Sequence, residues 1–160
     1  MPRHFDSTLR GPGVRIGIVL ARFNEAVTNK LLEGALNALH EGGVADDAID
    51  VATVPGAFEL PLAAQRLAVT GRYAAVVALG AVVRGETPHF DYVAGEASRG
   101  LSTASAEFDI PIGFGILTCD NREQAEARAG GTHGNKGWDA ALAALEMADL
   151  FDRLDAADES

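Results

Sequence analysis

Apolar residues fall into four dense runs, separated by stretches whose apolar positions recur at helical spacing. VRIGIVLARF (14–23), IDVATV (49–54), YAAVVALGAVV (73–83) and IPIGFGILTC (110–119) read as strands. The third is the most apolar. Residues 24–43 read as a helix, with Asn24 as N-cap and Gly42 and Gly43 as its stop. A second helix is expected over 58–71, ending at Gly71. Val93, Ala97, Leu101, Ala104 and Phe108 recur every three or four residues and mark one face of a third helix. NREQAEARAG (121–130) reads as a short polar helix and KGWDAALAALEMADLFDRL (136–154) as a long amphipathic one.

The expected order is βαβαβαβαα. Near-continuous apolar strands alternating with helices imply a parallel sheet covered on both faces. The predicted fold is a three-layer αβα, flavodoxin-like domain with a four-stranded parallel sheet. One domain is expected over 1–160. Residues 1–13 read as a polar arm that stays out of the core of its own subunit, and 154–160 as an acidic, solvated, frayed tail.

Composition narrows the function classes. The chain has 160 residues, 48% of them hydrophobic, which excludes general disorder. A formal net charge of −10 gives no general attraction to nucleic acid, so an anionic substrate needs local donors. The apolar runs are too short for a membrane helix, so no membrane association is expected. The single cysteine, Cys119, fits a reducing, cytoplasmic setting, and it reads as a small core residue more than as a nucleophile. The four histidines show no metal spacing, so no metal site is expected. GPGVRIG (11–17) precedes a strand instead of following one, and GTHGNKG (131–137) lacks P-loop spacing; neither is a nucleotide fingerprint.

In open parallel sheets, ligands bind beyond the carboxyl ends of the strands. Four segments fall there: Phe23 and Asn24, residues 55–59, residues 85–89, and residues 118–121 with Phe114 shortly before them. In GETPHF (85–90), Thr87 suits an N-cap, Pro88 the first helical position and His89 the second. Gly85 permits a tight turn. Helix-terminal N–H groups favour an anion such as phosphate, and an imidazole beside them can exchange a proton near neutral pH. A simple helix cap with a solvated histidine remains the other reading. In PGAFELP (55–61), the backbone at Ala57 and Phe58 can pair with a planar heterocycle, and Glu59 can accept from ring or sugar donors. The other reading puts Phe58 in the core. Phe23 and Phe114 are likewise either core residues or stacking platforms. Arg128, His133 and Lys136 form a basic cluster that is either an anion clamp or an ordinary helix–helix turn.

Five collinear segments, ARFNEAVTNKLLEGA, VPGAFELP, ALGAVVRGETPHFDYV, PIGFGILTCDN and GNKGWDAALAALEM, closely resemble the lumazine synthases over about residues 14–152. The resemblance implies condensation of 5-amino-6-(D-ribitylamino)uracil with 3,4-dihydroxy-2-butanone 4-phosphate to 6,7-dimethyl-8-ribityllumazine, in riboflavin biosynthesis, without a cofactor. It implies that Phe23 stacks on the pyrimidine. Asn24, Gly56, Ala57, Phe58 and Glu59, with the backbone of Ala81, Val82 and Val83, are then expected to hold its ring and ribityl chain. Gly85, Glu86 and Thr87 are expected on the butanone phosphate, and His89 is the expected proton-transfer residue. Phe114, Lys136 and Arg128 are expected from a neighbouring subunit, with Arg128 on the phosphate. The family forms homopentamers. Some members pair pentamers and others close sixty subunits into a shell. The short, Gly-rich turn GGTHGN is of the shell-forming kind, and riboflavin synthase is the guest some shells enclose. The family's N-terminal arm adds a strand to a neighbour's sheet. One departure concerns a lysine that shell-forming relatives often carry where Thr132 and His133 stand, with His133 as its candidate substitute. The competing functional readings are a non-catalytic flavin- or nucleotide-binding module and a shell protein with a vestigial site.

Overall fold

The computed structural model describes residues 1–9 and 11–158; Arg10 in the arm and Glu159 and Ser160 in the tail lie outside the described residues. The strands are β1 (Ile16–Ala21), β2 (Ile49–Val54), β3 (Ala75–Val83) and β4 (Ile112–Cys119), joined in the parallel order β2-β1-β3-β4. The helices are α1 (Glu25–Glu41), α2 (Leu60–Ala68), α3 (His89–Phe108), α4 (Arg122–Ala127) and α5 (Lys136–Asp158). Alternate side chains of β1 and β3 enter different cores. Ile16, Ile18, Leu20, Val77 and Leu79 pack with α1 and α5, whereas Val19, Ala21, Val76 and Ala78 pack with α2 and α3. The chain therefore has the expected three layers. β2 is less covered than its apolar sequence implies: Val51 is 44% exposed, because this edge strand has one neighbour only.

The predicted face of α3 is correct, with Ala97, Leu101 and Ala104 buried and Val93 and Phe108 packed against the same core. Two local readings need correction. The helix predicted over 58–71 is a 3₁₀ turn at Ala57–Glu59 followed by α2. Between α4 and α5 the chain forms an antiparallel hairpin, β5 (Ala129–Gly131) with β6 (Gly134–Asn135), where the sequence suggested a plain turn. Gly134 supplies the positive φ of 79° that this hairpin requires. Asn135 then caps α5: its Oδ1 accepts from the N–H groups of Gly137 and Trp138, and its Nδ2 donates to the Lys30 carbonyl.

Both chain ends are more engaged than expected. Gly11 is buried, its N–H donates to the Gly42 carbonyl at 2.7 Å, and the Thr8 N–H and hydroxyl both donate to Asp149. Thr8 and Gly11 thus tie the arm to the body of its own chain. The acidic tail is helical to Asp158, because α5 continues through it.

α5 lies close to α1 and β4 along a stripe of small residues, Ala140, Ala141, Ala144 and Ala148. A Cβ at Gly137 would collide with the Leu31 backbone of α1, and one at Gly113 with the Ala140 carbonyl of α5. Glycine at these positions lets α5 lie close to α1 and to β4.

β1 and β3 pair only as far as Leu20 and Leu79. Beyond that point β1 follows β2, with Arg22 and Phe23 donating N–H bonds to Val54 and Pro55, while β3 continues beside β4 to Val83. The Ala81 carbonyl left at the divergence accepts from Asn24 Nδ2 at 2.9 Å. Asn24 does precede α1, as expected, but its side chain does not cap the helix; its backbone is left-handed at φ 64° and its amide crosses to β3.

Gly137→Ala is expected to cost about 2 kcal/mol or more by chemical denaturation, since backbone must move to admit the methyl group. Asn24→Gly is expected to cost about 1 kcal/mol for the lost bond, and Asn24→Ala roughly 1–2 kcal/mol beyond that, because alanine also resists the left-handed backbone.

Candidate functional site

A cavity of about 700 Å³ opens where β1 and β3 part, on the face covered by α2 and α3. Its walls come from three strand ends. Phe23 follows β1, and Gly56, Ala57, Phe58 and Glu59 follow β2. Ala81, Val82 and Val83 end β3, and Gly85, Thr87 and His89 lead into α3. These eleven of the sixteen expected site residues meet in one place.

Burial decides the dual readings of the aromatics. Phe23 is 71% exposed and Phe58 59% exposed at the cavity rim, so neither is a core residue. Exposed rings beside an apolar floor are surfaces on which a flat heterocycle can stack. Glu59 leans back toward Gly56, where a Cβ would stand 3.4 Å from Glu59 Oε1. The missing side chain keeps the backbone there accessible.

The start of α3 differs by one residue from the sequence reading. The helix opens at His89, and Pro88, not Thr87, is the residue before it. Thr87 still serves the helix start, because its Oγ1 accepts from the His89 N–H at 3.4 Å. The positive end of a 20-residue helix therefore sits at the cavity rim, with the His89 imidazole lining the same wall.

The other five expected residues lie elsewhere. Asn24 acts from behind the wall, through Ala81. Glu86 is exposed and does not line the cavity. Phe114 and Lys136 line a separate hollow of about 320 Å³ between β4 and α5, together with Asp139 and Met147. Arg128 is half-buried, with Nη1 donating to the Gln124 carbonyl, and it too is outside the main cavity. His133 stands in the β5–β6 turn, its Nδ1 3.1 Å from Thr132 Oγ1. Cys119 is buried, and desolvation pushes its thiol up from the ordinary range, which suits a core residue and not a nucleophile.

Pro55, within the expected segment 55–59, lines the cavity as well, and the sequence reading missed Phe90, Tyr92 and Val93, which also line it. The α3 pattern marked Val93 as core, and it does pack against the α2–α3 core while its helix also forms one cavity wall. Tyr92 is 71% exposed; its position one turn into α3 was the available signal. Arg84 was also missed. Its guanidinium meets Asp120 at 2.9 Å and lies 4.4 Å from the centre of the Phe90 ring.

Among the described residues, no group of three or more His, Cys, Asp or Glu side chains is placed to hold a metal ion, and no helix is long and apolar enough to cross a membrane. The cavity's chemistry is that of aromatic faces, backbone amides, one carboxylate and one imidazole.

Comparison with known proteins gives this arrangement its family. The family model described as 6,7-dimethyl-8-ribityllumazine synthase matches residues 13–152. A protein of that name from Gemmatimonas aurantiaca is 62% identical over 149 residues, covering 93% of this chain and 91% of its own length. Another of the same name, from Desulfatibacillum aliphaticivorans, is 54% identical over 154 residues, covering 96% of this chain and 99% of its own. A match of this extent, spanning every strand end that builds the cavity, means that the chain belongs to the 6,7-dimethyl-8-ribityllumazine synthase family.

Proposed function

We propose that this protein condenses 5-amino-6-(D-ribitylamino)uracil with 3,4-dihydroxy-2-butanone 4-phosphate, and that the cavity at the β1–β3 divergence is its half of a site shared between subunits. The observation that carries this reading is the convergence of Phe23, residues 56–59, residues 81–83 and His89 on one cavity. Membership of the family supplies the reaction, and it disfavours a non-catalytic binding module or a vestigial shell protein.

The pyrimidine stacks on Phe23, with its ring edge against the backbone of Ala81, Val82 and Val83. Ala57, Phe58 and Glu59 hold the ribityl chain and ring, and Gly56 keeps the approach open. The butanone phosphate binds at Gly85 and Thr87, where the positive end of α3 offsets the charge that an acidic chain otherwise repels. Glu86 contributes through its backbone. Asn24 contributes indirectly, by holding Ala81.

The primary amine attacks the ketone to form an imine with loss of water. Phosphate then leaves, and tautomerisation brings up a carbonyl that the second amine closes on, with loss of a second water. Each step moves protons, and His89 is the group at the cavity wall suited to exchange them. Holding amine and ketone together supplies much of the remaining acceleration. No strong nucleophile is called for, which agrees with a buried, protonated Cys119.

Phe114, Lys136 and Arg128 serve the cavity of an adjacent subunit. Their separate location on the chain supports this, since a site needing them closes only between copies. We read the assembly as a pentamer, extended toward a 60-subunit shell by the tight β5–β6 turn, with riboflavin synthase as a candidate guest. Residues 1–7 are then the part of the arm left to reach a neighbour's β2 edge. The lone cysteine favours a cytoplasmic location.

The deciding experiment mixes purified protein with both substrates and follows lumazine absorbance. Product formation well above the spontaneous rate is expected; none above it would sink the reading. His89→Ala is expected to slow turnover about tenfold or more while leaving a measurable residual rate, because positioning survives. Arg128→Ala is expected to raise KM for the butanone phosphate far more than for the pyrimidine, and equal losses would remove Arg128 from the phosphate. Sedimentation is expected to give a pentamer or a multiple of it; a monomer would contradict the shared site.

A further inference from the structure

We propose that Arg84 is a positioning residue for the reaction, a clamp that holds residues 85–90 in the geometry their phosphate and proton-transfer roles require. This rests on the assignment of those roles above.

Residues 84–89 are all exposed, and a Cβ at Gly85 would meet nothing within 4 Å. Apolar packing therefore does not fix the segment. A phosphate subsite and a proton-transfer group nevertheless demand placement to a fraction of an ångström. Arg84 supplies the missing constraint from both sides. Its backbone N–H donates to the Cys119 carbonyl at 2.8 Å, which fastens the start of the segment to β4. Its Nε donates to Asp120 Oδ1 at 2.9 Å, on the loop that follows β4. Its Nη1 stands 3.7 Å from Asp91 Oδ1 in the first turn of α3, and its guanidinium carbon lies 4.4 Å from the Phe90 ring centre. One planar cation thus ties the end of β3, the loop after β4 and the first turn of α3, and His89 sits directly before Phe90. Lysine cannot reproduce this, because a point charge lacks the fork and the flat face.

The same contacts separate Arg84 from the phosphate. It is the cation nearest in sequence to Gly85 and Thr87, yet two carboxylates already face it. Exposed ion pairs of this kind add little to global stability. The expected consequence is on geometry, not on folding.

Steady-state kinetics on the full-length assembled protein, varying each substrate in turn, tests the proposal. For Arg84→Ala we expect kcat to fall roughly tenfold and KM for the butanone phosphate to rise, with KM for the pyrimidine within about twofold of wild type. The thermal midpoint should stay within about 3 °C of wild type. Arg84→Lys should recover only part of the loss. Asp120→Asn should shift both parameters in the same direction, and adding it to Arg84→Ala should cost nothing more, because one interaction is being removed twice. Unchanged kinetics in Arg84→Ala would overturn the proposal. So would a lower butanone-phosphate KM in Asp120→Asn, which would mean that a freed Arg84 binds the phosphate itself. Equal rises in both KM values with a falling thermal midpoint would also overturn it, in favour of a general structural role. If Arg84→Ala does not fold, Arg84→Lys and Asp120→Asn carry the same comparison. An inactive wild-type protein would instead defeat the functional reading beneath the proposal.

Discussion

The bond from Asn24 to Ala81 marks the point on which the site depends. Two adjacent parallel strands can share a hydrogen-bond ladder only while they run together. β1 leaves β3 after Leu20 and follows β2, and a β3 carbonyl is left facing the gap. A buried carbonyl without a donor costs free energy comparable to a lost hydrogen bond. Asn24 meets this demand at the residue where the chain must also turn into α1, and asparagine tolerates the left-handed turn better than most residues. The gap is thereby kept open without an unsatisfied group in its wall. Phe23, the residue before Asn24, is carried to the cavity rim by the same turn.

A second constraint acts on the opposite side of the sheet. The glycines of β4 and the alanines of α5 let helix and strand approach closely, and α5 is started by the Asn135 cap at the end of the β5–β6 hairpin. That geometry places Phe114 and Lys136 together in a hollow separate from the main cavity. The chain thus carries the expected site residues on two different surfaces.

Much of the architecture was legible in the sequence. Runs such as YAAVVALGAVV must be buried on both sides, and β3 is buried from Ala75 through Val82. The α3 face followed from spacing alone. The hairpin between α4 and α5 was not legible: two- and three-residue strands leave no periodicity, and Gly-rich sequence suits a turn equally well. The polar composition of the arm suggests a detached segment, but Gly11 and Thr8 attach through backbone and side-chain bonds that composition does not reveal. The role of Arg84 is illegible in the sequence for a similar reason. Its partners lie on different elements, Asp91 in the first turn of α3 and Asp120 in the loop after β4, and their meeting is a product of the β3–β4 pairing.

By itself the sequence determined the strand and helix order, the parallel three-layer class, and the segments that fall at the carboxyl ends of the strands. These follow from hydrophobic period and punctuation, which are local properties of the chain. It also carried the family resemblance. Whether Phe23 and Phe58 are buried or exposed could not be settled locally, since an aromatic side chain suits either place. The divergence of β1 from β3 decided it, by opening space beside them. Tertiary structure likewise separated Phe114, Lys136 and Arg128 from His89. Distance between side chains depends on which strands pair and how closely α5 can lie on β4, and both are outcomes of long-range packing.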